Sequence, residues 1–267
     1  MNIEDGPVSE RTDGPQDGRV SLQLGMDVAE SLWQNYQAMG AEFKGKRILD
    51  FGCAWGYMCK LGLDKGADVC VGVDILPHWE KLGNLAALEQ DGLHLICGDL
   101  LDIDELQPMC FDMILSSGTL FLLDSTYLDK VLAWFCDHLV PGGEAFLRTR
   151  CVTAKSFNDL GSRLVLPGAQ LLFSRRAVNQ VLAEKGYQSF KSHLGYTSAT
   201  WIMACHGAGF DVVNMRRHGN TEVESTAAQH HAKLRWLSPL EISTGEITLH
   251  LRKPIERQDM TSFRRLD

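Results

Sequence analysis

The sequence predicts an α/β domain: a doubly wound, mostly parallel seven-stranded sheet with an antiparallel last strand and a helical lid inserted after strand five. Three observations predict it. From Gly45 onward, short apolar runs alternate with helical patterns. The runs are continuously apolar rather than alternating, as strands covered on both faces are. The last run, 246–251, alternates strictly and is reached without a crossover helix, so it should pair antiparallel.

Each element has its own signal. Residues 1–19 carry five acids, three Gly and two Pro, and 1–21 reads as a flexible tail. Met26, Ala29, Trp33, Tyr36 and Met39 recur at helical spacing and predict an amphipathic helix over 22–40. The first strand is 47–51. A glycine turn and a helix near 55–65 follow, closed by Gly66, and the second strand is 68–74. Trp79, Leu82 and Ala86 mark the next helix, before strands at 94–97 and 111–115. Ser125 is placed to cap a helix whose Leu128, Val131, Leu132, Phe135 and Leu139 share one face. Pro141-Gly142-Gly143 turns into the fifth strand, 144–149. The segment 151–197 is the inserted lid. It holds a helix capped by Ser174, with Ala177, Val178, Val181 and Leu182 on one side. Trp201, Ala204, Cys205 and Ala208 form a last helical stripe, ended by Gly209 and followed by a strand at 210–215. The stretch 252–267 carries five Lys/Arg against three acids, and 253–267 reads as a solvated C-terminal tail, so the domain runs over 22–252.

Composition narrows the class of function. The 267 residues carry a formal charge of −8, and nucleic-acid duplex binders that work by counterion release are usually basic. The longest uncharged apolar stretch, 113–123, has four small or polar residues within it and falls short of the roughly 20 residues of a membrane span. The first residues have no basic and no apolar region of a secretory signal. None of the eight cysteines forms a Cys-x-x-Cys pair, and most lie in apolar runs, as reduced thiols of a cytoplasmic protein do. No third ligand at metal spacing accompanies His230-His231, so no metal is expected.

The chemistry concentrates where strands end. Asp50-Phe51-Gly52-Cys53-Ala54-Trp55-Gly56 closes the first strand and opens a helix, where glycines admit close backbone approach and free N–H groups face a ligand. Asp74 ends the second strand, placed to accept both hydroxyls of a ribose. Asp99 and Leu100 follow the third strand, where a carboxylate can accept from an adenine amino group. Taken singly, Asp74 could cap the next helix and Asp99 could be a turn residue. Their succession at three strand ends favours a site. A dinucleotide fingerprint, Gly-x-Gly-x-x-Gly, would need its third glycine at Tyr57.

These residues resemble the class I S-adenosylmethionine-dependent methyltransferases, over about 45–150 and 198–252. That family's first motif reads roughly Asp-x-Gly-x-Gly-x-Gly, and here Ala54 stands at the middle glycine. The resemblance implies S-adenosylmethionine as cofactor. It implies Asp50, Gly52, Cys53, Trp55 and Gly56 around its methionine part, Asp74 on the ribose, and Ile75 against the adenine. It implies Asp99 and Leu100 on the adenine edge, with Ser116 as a floor under the methyl group. Trp33 and Tyr36 of the first helix, and Tyr57, fit core packing at least as well as cofactor contact.

The acceptor side is the variable part. Arg148 and Arg150 end strand five on one face and suit an anionic acceptor, or else a salt bridge to a neighbouring carboxylate. His193 is a candidate base and Tyr196 its neighbour in the region where relatives place substrate residues. The partner expected is a small polar or anionic metabolite methylated on oxygen, with no nucleic acid and no membrane. Homodimerisation is left open. The alternatives are N-methylation of a small amine, a protein or RNA, and a non-catalytic subunit that only binds the cofactor.

Overall fold

A computed structural model describes residues 18–76, 90–152, 196–219 and 237–255. The helix expected around Trp79, Leu82 and Ala86, the lid helix after Ser174, Arg175, Arg176, His193 and the His230-His231 pair lie outside the described residues. In chain order the elements are α1 (Gly18–Gln37), β1 (Arg47–Phe51), α2 (Tyr57–Asp64), β2 (Val69–Asp74), β3 (Leu93–Cys97), β4 (Phe111–Ser117), α3 (Ser125–His138), β5 (Leu139–Arg150), α4 (Ser198–Gly207), β6 (Asp211–Gly219), α5 (Pro239–Ser243) and β7 (Thr244–Arg252).

All seven strands join one sheet in the order β3-β2-β1-β4-β5-β7-β6. β1 to β5 run parallel, and β7 is antiparallel to both β5 and β6. The carboxyl ends of β1 to β5 therefore share one edge with the carboxyl end of β6 and the amino end of β7. Open parallel sheets bind ligands at that edge.

Alternation along the strands sends two apolar sets to two faces. On the front face Ile48, Met113, Leu115 and Phe146 pack under Ala29, Trp33 and Tyr36 of α1 and Met58, Cys59 and Leu61 of α2. On the back face Leu49, Val71, Ile114, Leu147 and Leu249 pack under Leu128, Val131 and Phe135 of α3 and Trp201 and Cys205 of α4. The Trp33 and Phe43 rings pack tilted with centroids 4.0 Å apart, as core packing predicts.

Three boundaries differ from the sequence pattern, each for a local reason. α1 starts earlier and stops at Gln37, because Gly40 at φ 100° turns the chain back toward β1. The cap of α3 is Asp124, not Ser125, since the Asp124 carboxylate accepts from Tyr127 N at 2.9 Å. β5 begins at Leu139 rather than 144, with the Pro141-Gly142-Gly143 stretch absorbed as a bulge between the Phe111–Leu139 and Met113–Glu144 pairings. Among the described residues no helix is long and apolar enough to cross a membrane, and no cluster suits a metal ion. A cavity of about 580 Å³ lies at the opposite, amino edge, between α1 and the chain before β1. It is lined by Trp33, Phe43 and the Glu30 and Lys65 pair, and contains none of the motif residues.

Candidate functional site

The turn after β1 is pinned across β2: Val73 O accepts from Gly52 N at 2.8 Å and from Cys53 N at 3.2 Å. Gly52 has φ 75°, and a Cβ there would lie 1.9 Å from Thr119 Oγ1, so no other residue fits. Ala54 is the one non-glycine residue with positive φ among the described residues, at 46°. The alanine thus takes the left-handed conformation that the family's middle glycine would take, at a cost of about 1–2 kcal/mol. The bend is kept, and the Ala54 N–H donates to Asp74 Oδ2 at 3.0 Å. Gly56, also left-handed, precedes α2, whose first turn has no side-chain cap.

Three carboxylates surround this turn. Asp50 stands on the front face, buried, and its carboxyl is pushed up to about 7. Burial is the largest cause and the Asp74 charge the second, while the Cys59 thiol, 3.9 Å away, opposes them. Asp74 holds the turn at both oxygens, since Oδ1 accepts from Leu76 N at 3.1 Å. A carboxylate has about four acceptor sites, so room remains for hydroxyl donors. Beside it Ile75 is 70% and Leu76 53% exposed, an uncovered apolar step at the end of β2. Asp99 Oδ1 accepts from Leu101 N at 3.0 Å and from the Tyr127 hydroxyl of α3. That contact raises the Tyr127 pKa, after burial.

Of the other motif residues, the Leu100 side chain is buried in the back core, which leaves only its main chain for a ligand. Cys53 is buried too. Burial pushes its thiol up, and it acts on the turn through its main chain. Trp55 is half-buried, and Tyr57 lies flat on Gly25 of α1, where a Cβ would come within 1.9 Å of its ring. The Ser116 hydroxyl is wholly buried and has no partner among the described residues. The donor set fits S-adenosylmethionine: carboxylates at the ends of β1 and β2 and after β3, left-handed backbone approach, an apolar step for a ring, and an orphaned hydroxyl at the end of β4.

Beyond β4, Arg148 and Arg150 do share the front face, and both pair with one carboxylate. Glu246 of β7 accepts from Arg148 Nε at 3.0 Å and Nη2 at 2.7 Å, and lies 3.5 Å from Arg150 Nε. Arg150 also lies over the Phe121 ring, 5.0 Å from its centroid. Tyr196 is not brought to Arg148. Its ring meets Trp201 edge-on at 5.1 Å against the back core, and its carbonyl accepts from Val152 N at 2.8 Å. Sequence reasoning missed Tyr127, Thr119, Ser117, Glu246 and His218. Only Tyr127 had a signal, its place in the first turn of a helix that starts at the ligand edge.

The comparisons with known proteins agree with this geometry. Residues 26–215 match a family described as a methyltransferase domain. The tRNA U34 carboxymethyltransferase of Azotobacter vinelandii is 35% identical over 136 residues, which is 50% of this chain and 40% of that protein. The match therefore spans less than half of that relative's length. An S-adenosylmethionine-dependent methyltransferase from Mesorhizobium loti superposes with TM-score 0.57 at 23% identity, covering 84% of this chain and 97% of that one. The 1,6-didemethyltoxoflavin-N1-methyltransferase of Burkholderia thailandensis, solved with S-adenosylhomocysteine, gives 0.52 at 14% identity, covering 86% and 78%. At such identities these two show the shared fold.

Proposed function

The chain belongs to the class I S-adenosylmethionine-dependent methyltransferases, and from that premise we propose that it methylates a small polar or anionic metabolite on oxygen. The observation that carries this reading is the half-exposed Arg148 on the front face, two strands from Asp50 and at the same edge. In this reading Asp74 accepts from the ribose hydroxyls, and Ile75 covers the adenine. Asp99, held by Tyr127, and the Leu100 main chain meet the adenine edge. Asp50, Gly52, Cys53, Trp55 and Gly56 enclose the methionine part, and Ser116 floors the methyl position. The group bound there supplies a methyl on a cationic sulfur. Displacement at it needs alignment and exclusion of water more than a strong catalyst. His193, outside the described residues, and Tyr196 are the acceptor-side candidates that came from the sequence.

A second reading is favoured by one observation: the similar Azotobacter vinelandii protein is named for carboxymethyl transfer to tRNA. RNA is then the acceptor. The formal charge of −8 favours the small metabolite.

Two experiments test the proposal. Calorimetric titration with S-adenosylhomocysteine, with NAD as control, is expected to show binding of the first alone. Methyl-labelled S-adenosylmethionine is then offered with two pools: hydroxyl-bearing carboxylic acids and phosphate esters, or total tRNA. Label in the small acids supports the proposal. Label in tRNA alone overturns it in favour of the second reading.

A further inference from the structure

β6 and β7 bring cations to the ligand edge that no motif contains. Residues directly opposite across an antiparallel pair share a face. In register, Arg148 stands opposite Thr248 and Arg150 opposite Glu246, while Arg216 and His218 of β6 stand opposite the same Thr248 and Glu246. Arg148, Arg150, Arg216 and His218 therefore gather on the front face. Glu246 pairs with the first two, and Arg216 forms no ion pair among the described residues. Three guanidiniums stand against one carboxylate, in a chain whose net charge is −8.

The far end of the same ladder is balanced instead. There Glu144 receives Arg252 and His250 at 3.0 Å and Lys46 at 3.5 Å, and Asp211 stands opposite Arg252. Two fixed cations meet two carboxylates, and the network closes on itself.

A further observation marks the ligand-edge cluster as a place built for negative charge. Each guanidinium has five N–H donors, and Glu246 takes two of those on Arg148, so three remain to be used. The Tyr36 side chain is buried, 1% exposed, on the same face. The polar groups around it are Asp50, Ser117 and Arg148.

We propose that the front face at the ends of β5, β6 and β7 is an anion site in which Arg148, Arg150 and Arg216 hold the carboxylate or phosphate group of the methyl acceptor, with His218 at its rim. The methyl-transfer reading supplies only the owner of that anion; the site itself rests on the cluster. Glu246 fixes the planes of Arg148 and Arg150 while leaving their outer N–H groups to the ligand. A small anion suits three arginines at one spot. An RNA backbone calls for cations along a track that neutralises several phosphates.

His218 reports on the cluster from within. Its Nε2 lies 2.9 Å from Thr248 Oγ1. Burial, then Arg148 and then Arg216 lower its pKa, against the opposing Glu246 charge. An anion that neutralises the two arginines removes part of that cause, so the His218 midpoint moves up when the site fills. By linkage the anion binds more tightly as pH falls through that midpoint.

The test uses the full chain, saturated with S-adenosylhomocysteine, and inorganic phosphate as probe. The His218 ring is followed by nuclear magnetic resonance, assigned with His218→Gln. Phosphate is expected to shift the His218 midpoint upward. Arg216→Gln and Arg150→Gln are each expected to weaken phosphate about tenfold. A midpoint that ignores phosphate overturns the proposal, and so does Arg216→Gln that binds it as the unchanged chain does. A single-stranded RNA that moves His218 where phosphate does not also overturns it, in favour of a nucleic-acid surface. The S-adenosylhomocysteine titration decides the cofactor reading separately. Its failure leaves the phosphate result standing on its own.

Discussion

The parallel part of the sheet, β3-β2-β1-β4, and its antiparallel part, β5-β7-β6, reach the same edge with different chemistry. In the parallel part each strand contributes once, at the point where the chain turns away: Asp50 and the Gly52–Gly56 turn, then Asp74, then Asp99. Main-chain N–H groups position the carboxylates there, and each carboxylate except Asp50 is held by at least two donors. In the antiparallel part, side chains two apart on three strands collect on one face, and cations outnumber their counter-ion. A parallel edge builds a site from turns, whereas an antiparallel ladder builds one from a surface. The first suits a cofactor of fixed shape. The second can be revised residue by residue for different acceptors.

If the two parts are independent, substitutions should separate them. Asp74→Ala should do most, since it removes the proposed ribose acceptor and the two N–H contacts of Ala54 and Leu76. S-adenosylhomocysteine affinity is expected to fall about a hundredfold by calorimetry, with acceptor-side phosphate binding kept. Asp50 separates the parts through pH. Its folded carboxyl titrates at about 7 against an ordinary 3.8. Over that window the folded state holds a proton that the unfolded chain has released. Its contribution to stability therefore falls as pH rises through the window and levels off above it. Asp50→Asn removes this dependence. In urea unfolding, the variant's stability relative to the unchanged chain should be greater at about pH 8 than at about pH 5.

Arg148→Gln should act on the other part alone. Phosphate binding should weaken about tenfold, with S-adenosylhomocysteine affinity unmoved. Loss of both would join the two parts into one site and break the comparison. Tyr127→Phe removes one donor to Asp99 and should weaken the cofactor about fivefold. The smallest effect is expected from Ala54→Gly. Relief of the left-handed strain, less the entropy glycine loses on folding, leaves roughly 0.5 kcal/mol of added stability, or about 1–2 °C in thermal melting.

The same contrast explains what could be read in advance. Fold class, strand count and the antiparallel last strand were legible because hydrophobic period reports burial directly. Asp50, Asp74 and Asp99 were legible because counting strands finds their ends. Arg148 and Arg150 were visible as a same-face pair, but their common partner Glu246 is 98 residues from Arg148 and nothing local announces it. Arg216 and His218 sit on a strand whose pairing register alone puts them opposite Thr248 and Glu246. A bulge between Val212 and Asn214 shifts that register, and no hydropathy pattern encodes the shift. Strand order was equally hidden, because placing β7 inside β6 depends on pairings between distant segments.

That placement also bears on synthesis. Among the described residues β6 pairs only with β7, and β7 fills the gap beside β5. Until Thr244–Arg252 has emerged from the ribosome, β5 presents an open edge and β6 has no neighbour in the sheet. The parallel strands can assemble on the nascent chain, while the antiparallel part of the sheet waits for Thr244–Arg252. A ribosome stalled before that strand would hold a chain with the Gly52–Gly56 turn formed but with Glu246 not yet delivered to Arg148 and Arg150.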